Sequence, residues 1–325
     1  MFDIGNDQCV WKQLTTRGNT PSGRVGHGCV FMSSSESMFI VGGANPECTF
    51  SDVYCLDLDG LTWTVVETVG FHGRYEHAIV KTVHPKPGIL VFGGADTKGN
   101  KNSIQVLDLK TKIWETIQVK GYVPSPRTHH CVAATDKTLF IFSGGNLGSQ
   151  PVVDEDVYVF DLPSYSWNKL SVSGTCPPPR LGHILVAVAD QLYLHGGMVG
   201  SSFYDDLHVL DFSTCRWKRL DPKGCVPTGR AAHGAVVVEK DFYIFGGLTS
   251  GGGVVEDLYR YDTSLETWFK INCGDQVPRG RLDFGICLVE LPSGKDEKKK
   301  KQCILIHGGM DTNGKIFDDT WVFPL

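Results

Sequence analysis

Six arginines at nearly regular intervals are the residues of this chain most suited to binding chemistry. Five of them are followed three positions later by a histidine, and the sixth is followed by Phe284. A guanidinium group can donate two parallel hydrogen bonds to a carboxylate or a phosphate. The pattern therefore predicts either a set of anion-binding groups or a set of internal ties to acidic side chains. The six are Arg24, Arg74, Arg127, Arg180, Arg230 and Arg281.

The repeated histidines raise the question of a metal site. A zinc site needs three or four ligands that converge at about 2 Å on one ion. One imidazole per repeat spreads the ligands around the molecule instead. We therefore predict that these histidines are structural, and we predict no metal and no cofactor. His129 is an additional imidazole outside the repeat and a candidate for the loop surface. The repeated histidines are His27, His77, His130, His183 and His233.

Motifs typical of enzymes do not occur in the sequence. There is no G-x-S-x-G, no H-E-x-x-H and no phosphate-binding loop of the G-x-x-x-x-G-K-[ST] type. The acidic stretch "VVDEDV" coincides with an acidic position found in other repeats, so we interpret it as a loop cap. The sequence predicts a protein that is not an enzyme.

The segments that must position the arginines repeat with the same period. Each repeat contains a glycine pair after an apolar run, and a tryptophan stands six residues after an aspartate. A period of about 50 residues with these marks is typical of kelch repeats, each of which forms one four-stranded blade of a β-propeller. The glycine pairs begin at Gly42, Gly93, Gly144, Gly196, Gly246 and Gly308, and the tryptophans are Trp63, Trp114, Trp167, Trp217 and Trp268.

The two ends of the chain predict how the ring of blades closes. Trp321 aligns with a third strand, which leaves the last repeat without its fourth, whereas Trp11 precedes Arg24 as Trp114 precedes Arg127. We predict an all-β, six-bladed propeller in one domain, residues 1–325, whose N-terminal strand completes the C-terminal blade. The predicted blades cover about residues 24–66, 74–117, 127–170, 180–220, 230–271, and 281–325 together with 9–14.

The long connections of a propeller of this kind share one face. They run from the second to the third strand and from the fourth strand to the first strand of the next blade. Binding residues concentrate in long loops on a rigid scaffold. The arginines begin the innermost strands, so we expect them around the mouth of the central channel on this face. Tyr75, His129 and Tyr204 are expected as their neighbours.

Each arginine has an alternative, internal partner in an acidic residue before the third strand. The second repeat has Asn102 in that place, so Arg74 is expected to be the arginine freest to reach a ligand. We predict that an acidic peptide or a partner carboxylate contacts some of the six arginines. The acidic residues are Asp52, Asp156, Asp206, Asp257 and Asp319.

Composition favours a cytoplasmic protein. The formal net charge of -5 argues against broad nucleic-acid binding, and the 11 cysteines form no C-x-x-C pair, which suits reduced thiols. No signal peptide and no apolar stretch of about 18 residues is present, so membrane insertion is not expected. The lysine-rich stretch around residues 295–301 predicts a solvated, disordered loop outside the main site.

The whole chain resembles the kelch family and, more narrowly, Rab effectors with kelch motifs. This resemblance implies a non-enzymatic interaction scaffold that binds a GTP-loaded late-endosomal Rab GTPase and acts in recycling from endosomes to the trans-Golgi network. It also implies a protein peripheral on endosomal membranes. Those effectors carry a longer, acidic insert in the last blade, and no motif fixes their Rab contacts. The similar stretches are 39–53, 74–78, 91–107, 150–154 and 203–208.

Two other classes of kelch protein are alternatives. A substrate receptor of a cullin ubiquitin ligase would capture acidic or C-terminal peptides on an arginine-lined face, but the six repeats leave no segment for binding an adaptor. An iron-dependent specifier protein of the plant type would need acidic and histidine side chains that converge. The sequence alone does not assemble such a set.

Overall fold

The computed structural model describes residues 9–83, 87–129, 131–146, 150–292 and 300–325. Within these ranges every regular element is a β-strand. A search of the same ranges finds no helix with the length and apolar character needed to cross a bilayer. His130 and residues 293–299, which include most of the lysine-rich stretch, lie outside the described residues.

The strands form six antiparallel blades in which consecutive strands pair with each other. Blade one consists of Gly28–Met32, Ser37–Val41, Val53–Asp57 and Thr62–Val65. Blade two consists of Ala78–Thr82, Gly88–Phe92, Ile104–Asp108 and Ile113–Thr116. Blade three consists of Val132–Ala134, Thr138–Phe142, Val157–Asp161 and Ser166–Leu170.

The second half of the ring repeats this arrangement. Blade four consists of Ile184–Val188, Gln191–His195, Leu207–Asp211 and Arg216–Leu220. Blade five consists of Gly234–Val238, Asp241–Phe245, Leu258–Asp262 and Thr267–Lys270. Blade six consists of Gly285–Pro292, Lys300–His307, Thr320–Pro324 and the N-terminal strand Lys12–Gln13. The predicted all-β, six-bladed fold is confirmed.

The N-terminal strand closes the ring as the sequence predicts. Lys12 lies opposite Val322 and Gln13 opposite Trp321 in an antiparallel ladder. Trp11 is 1% exposed and packs against Phe245 and Phe323 at ring-centroid distances of 5.0 and 5.3 Å. The outermost strand of blade six therefore brings its own core residue into the gap between blades five and six.

The first strand of every blade lies at the centre of the molecule. Each contacts the first strands of the two neighbouring blades, so the six strands surround a central channel. The five repeat tryptophans are buried, with at most 4% of each side chain exposed, in apolar clusters that lie between blades. Burial of these large apolar side chains between blades stabilises the ring.

Short additional strands cover the outer edges of four blades. Each comes from the connection that enters the blade and pairs in parallel with its fourth strand. Gly174 has φ +90° in this position, and a Cβ there would overlap the carbonyl oxygen of Trp217. Covered edges do not pair with other chains. These strands are Arg17–Gly18, Lys120–Gly121, Ser173–Gly174 and Lys223–Gly224.

Aspartates that precede the repeat tryptophans shape the turns between the third and fourth strands. The carboxylate of Asp211 accepts hydrogen bonds from the backbone N–H groups of Ser213 and Thr214, both at 2.9 Å. Side chains of this kind fix a tight turn by replacing backbone hydrogen bonds. The same arrangement occurs at Asp57, Asp108 and Asp262. These turns lie on the face opposite the long loops.

The long loops between second and third strands are held down by backbone pairing. In each blade the residue that follows the repeated arginine pairs with the residue three positions after the end of the second strand. The partners form isolated bridges in five blades and a short ladder in blade five. The loops therefore form a rigid surface on the rim of the ring. The pairs are Val25–Ala44, Tyr75–Ala95, Thr128–Gly145, Leu181–Met198, Ala231–Leu248 and Leu282–Met310.

Candidate functional site

The six arginines lie just before the first strands and are fully buried, each with 0% of the residue exposed. Arg180 shows the shared geometry: its Nε donates to the carbonyl oxygen of Pro178 at 3.0 Å, and its Nη1 donates to that of Gly196, also at 3.0 Å. The equivalent bonds recur in the other five blades. Each arginine thus ties the loop before its strand to the end of the second strand.

Five arginines also form an ion pair with an aspartate of the second-to-third loop. Arg180 donates to both oxygens of Asp206, at 2.5 and 3.0 Å, and the half-buried ring of Tyr204 lies 3.9 Å over its guanidinium group. A paired, hydrogen-bonded guanidinium is one of the few ways to bury a full charge. The pairs are Arg24–Asp52, Arg127–Asp154, Arg180–Asp206, Arg230–Asp257 and Arg281–Asp319.

In blade three the arginine pairs with a different aspartate from the one that the sequence predicts. Asp156 aligns with the other aspartates, but it pairs with Lys169, and Arg127 instead binds Asp154 at 2.9 Å. The longer loop of this blade places a second carboxylate near the arginine, so alignment alone selects the wrong one. The glycine pair is also shifted by one residue. Ser143 takes the first position, with φ 52°, and its carbonyl accepts from Arg127.

Arg74 has no carboxylate partner among the described residues, as expected for blade two. Its Nη2 donates to Gln105 Oε1 at 2.8 Å, and its Nη1 lies 3.3 Å from Ser103 Oγ. Burial lowers its pKa to about 10. The position that replaces the aspartate is Ser103, and the prediction of Asn102 is wrong, because Asn102 donates to the carbonyl oxygen of Pro124.

The expectation that the arginines line the channel mouth with accessible guanidinium groups is wrong. All six lie beneath the loops, including Arg74, which was expected to be the freest. Five of them donate hydrogen bonds to carbonyl groups and to an aspartate of the same blade. Arg74 donates to carbonyl groups, Ser103 and Gln105 instead. Binding of an acidic peptide by these arginines stays a prediction, and their burial does not support it. Tyr75 is half-buried and pairs through its backbone with Ala95.

The ion pairs shift the titration of two aspartates. Burial raises the pKa of Asp206, but hydrogen bonds from His208 and Arg180 outweigh burial and hold that pKa well below its ordinary value. Burial likewise opposes ionisation of Asp319, and the hydrogen bond from Arg281 again outweighs it and lowers the pKa. Both carboxylates are therefore ionised throughout the neutral range.

Loss of stability in acid is the expected consequence. A carboxyl with a lowered pKa in the folded chain stabilises the fold above about pH 4, and this contribution is lost as the pH falls toward the folded pKa. We expect Asp206→Asn to lower the free energy of unfolding by about 3 kcal/mol at pH 7. The difference from the unmodified protein should shrink between about pH 4 and pH 2.

Urea unfolding over this pH range measures the effect. Asp205→Asn is the matched control, because Asp205 is the exposed neighbour and makes no ion pair among the described residues. This variant should follow the unmodified protein at every pH. If the difference in unfolding free energy between Asp206→Asn and the unmodified protein stays constant down to pH 2, the lowered pKa of Asp206 is contradicted.

The channel mouth itself is formed by the residues that precede the five repeated histidines and, in blade six, Phe284. All six residues have positive φ, between 42° and 66°. Their backbone groups form hydrogen bonds from blade to blade, for example from Glu76 N–H to the Gly26 carbonyl at 2.7 Å and from Gly26 N–H to the Asp283 carbonyl at 2.9 Å. We call these residues the mouth ring. They are Gly26, Glu76, His129, Gly182, Ala232 and Asp283.

Three polar side chains of the mouth ring come together. His129 Nε2 lies 3.0 Å from Glu76 Oε2, and its Nδ1 lies 3.9 Å from Asp283 Oδ1. These side chains are 25%, 18% and 18% exposed. Burial raises the pKa of Glu76 to about 7, and burial also raises the pKa of Asp283. The mouth of the channel is therefore acidic, not basic.

Of the three residues in this cluster, His129 alone is a candidate from the sequence. The structure brings together a set of acidic and histidine side chains that the sequence alone does not assemble. Glu76, His129 and Asp283 occupy the same position in the repeats of blades two, three and six, one residue before the repeated histidine or Phe284. At this position of the six repeats the sequence has two acidic residues and one histidine, and the other three residues are glycine or alanine. A comparison of this position across the repeats therefore points to the cluster, whereas a comparison of the arginines does not.

Comparison with known proteins agrees with the architecture. The family model described as "KLHDC2/KLHL20/DRC7 Kelch-repeats domain" matches residues 1–197, 46–247 and 132–325, and so covers the whole chain. A protein of Arabidopsis thaliana named "Acyl-CoA-binding domain-containing protein 5" is 31% identical over 58% of this chain and 38% of its own length.

Two relatives match over nearly the full length. The "Rab9 effector protein with kelch motifs" of Mus musculus is 42% identical over 97% of this chain and 93% of the mouse protein. The protein of the same name from Rattus norvegicus is 42% identical over 97% of this chain and 95% of its own length. The six blades and the repeated arginine contacts agree with these matches. The chain belongs to the kelch-repeat family.

Proposed function

We propose that this protein is a non-enzymatic Rab effector that binds the GTP-loaded form of a Rab GTPase of the Rab9 type. The observation that carries the proposal is the 42% identity to Rab9 effector proteins with kelch motifs across 97% of the chain. The match extends over 97% of the chain, and the six blades lie within that length. We place the protein in the cytoplasm and peripherally on endosomal membranes, in transport from endosomes to the trans-Golgi network.

The long-loop face is the surface that we propose for the Rab. Its loops are fixed by the arginine–aspartate pairs and by backbone bridges, so little conformational entropy is lost when a partner binds. Val153, next to the Asp154 that pairs with Arg127, is 91% exposed on the second-to-third loop of blade three. On the opposite face, Leu265 is 60% exposed in the turn that follows Asp262.

Substitutions of Val153 and Leu265 test which face of the propeller binds the Rab. Binding of the full chain to purified Rab9-type GTPase is measured after loading with GDP or with a non-hydrolysable GTP analogue. We expect binding to the GTP-loaded form alone. Val153→Asp should weaken it about tenfold or more, which corresponds to about 1.4 kcal/mol, whereas Leu265→Asp should bind like the unmodified protein.

A wrong function and a wrong binding face would give different results. Failure to bind any nucleotide state of the Rab would overturn the proposed function. Binding that survives Val153→Asp and is lost in Leu265→Asp would keep the function and move the interface to the short-loop face. Both substitutions are at exposed positions, so thermal unfolding should show the same melting temperature for all three proteins.

A further inference from the structure

The cluster of Glu76, His129 and Asp283 has the composition and the spacing of a metal site. One nitrogen and two carboxylate oxygens, one atom from each residue, lie within 4.8 Å of one another. Ligands bound tetrahedrally at about 2.1 Å from one ion lie about 3.4 Å apart. The three side chains therefore need only a modest contraction to share an ion.

The backbone of the mouth ring holds the three side chains in place. Each residue comes from a different blade and has positive φ: 52° at Glu76, 42° at His129 and 51° at Asp283. Residues other than glycine adopt this region at an energetic cost and persist in it when the surroundings fix them. Here the hydrogen bonds between blades do so. A site assembled from three blades of a closed ring is preorganised for a ligand.

The electrostatics of the cluster favour an added cation. The carboxylate side chains of Glu76 and Asp283 are each only 18% exposed, and both face the imidazole of His129. In the portion of the chain that the structure describes, His129 is the one basic side chain paired with either of them. A divalent ion would neutralise both carboxylates and remove the cost of burying them as anions.

There is room for the rest of a coordination shell. The other three positions of the mouth ring are small: Gly26, Gly182 and Ala232. Together with the cluster they border a cavity of about 150 Å³. Since a water molecule occupies about 30 Å³, several waters fit beside an ion.

We propose that Glu76, His129 and Asp283 bind a divalent first-row transition-metal ion at the mouth of the central channel. Carboxylates suit Mg²⁺, Ca²⁺ and Mn²⁺, whereas imidazole suits the transition metals. The mixed set therefore selects an ion such as Mn²⁺, Fe²⁺ or Zn²⁺ over Mg²⁺ and Ca²⁺. The bound ion joins blades two, three and six across the channel mouth.

Titration of the full chain with Mn²⁺ tests the proposal. Mn²⁺ is the probe because thiolates bind it poorly, so the 11 free cysteines do not compete as they would for Zn²⁺. Calorimetry at neutral pH should show one ion per chain, and Mg²⁺ should bind at least about tenfold more weakly. Added Mn²⁺ should raise the melting temperature, and a chelator should reverse the rise.

Isosteric variants identify the ligands. Glu76→Gln and Asp283→Asn should each weaken Mn²⁺ binding at least about tenfold. His129→Asn should do the same, because asparagine tolerates positive φ and keeps the backbone. The matched control is Glu239→Gln, an exposed glutamate with φ 55° in a turn of the opposite face, which should bind Mn²⁺ like the unmodified protein.

Two results would overturn the proposed metal site. Unmodified protein that binds no Mn²⁺ would show that His129 serves only to bridge the two carboxylates. Equal affinity in the unmodified protein and in Glu76→Gln and Asp283→Asn would place any bound ion elsewhere. If one variant fails to fold, as judged by its metal-free melting curve, the other two still decide the question.

Discussion

Removal of residues 1–16 is expected to leave the propeller open and to make the protein insoluble or far less stable than the full chain. The strand Thr320–Pro324 would lose its outer partner and expose an unpaired edge, which promotes aggregation. Trp11 and Leu14, which are 1% and 4% exposed, would also be lost from the core. The soluble fraction after expression and thermal unfolding measure both effects.

A chain that lacks only residues 1–8 isolates the contribution of the strand, because it keeps Lys12–Gln13. Trp11→Ala adds a point test in the intact chain. Truncation of a buried tryptophan costs about 3 to 5 kcal/mol of unfolding free energy. The assigned closure would be wrong if the chain without residues 1–16 melted at the same temperature as the chain without residues 1–8.

The second large effect is expected from Arg180→Met. Methionine is of similar length but leaves the carboxylate of Asp206, 9% exposed, with the imidazole of His208 as its remaining side-chain partner in an ion-pair position. Removing one member of a buried ion pair costs about 3 to 5 kcal/mol. Arg74→Met is the matched comparison at the equivalent position of blade two, where the partners are neutral.

Because the partners of Arg74 are neutral, we expect Arg74→Met to lower the unfolding free energy less than Arg180→Met does. Gln105 Oε1 still accepts a hydrogen bond from the backbone N–H of His72 at 3.0 Å after the guanidinium is gone. We expect a loss of about 1 to 3 kcal/mol, the usual cost of leaving buried neutral groups unpaired. Urea unfolding of both variants at pH 7 gives the comparison. Equal losses would show that the carboxylate adds nothing to these ties.

The fold could be predicted from the sequence because its signals repeat. The tryptophans, the glycine pairs and the arginines each recur six or nearly six times, so errors in one repeat are corrected by the others. The placement of Trp11 in blade six followed from the same comparison. A pattern repeated with one period specifies both the blade and the number of blades.

The roles of individual residues were harder to predict because they depend on depth below the surface. The position of an arginine before an inner strand is readable from sequence, but the loops that cover it are not. Asp154 and Asp156 differ by two positions, and the choice between them depends on how the loop of blade three folds over Arg127. The contact of Glu76 with His129 crosses between blades, and the sequence of one blade contains no information about it.

The pairing of Gln13 with Trp321 joins two parts of the chain that are about 300 residues apart. The strand Lys12–Gln13 is therefore synthesised long before its partner Thr320–Pro324, whereas blades one to five each form from one continuous segment. Contacts of such long sequence separation form late, because the cost of closing the loop must be met before they contribute. The ring is sealed only after synthesis of the last strand, so a nascent or prematurely terminated chain keeps an open edge that chaperones and proteases can recognise.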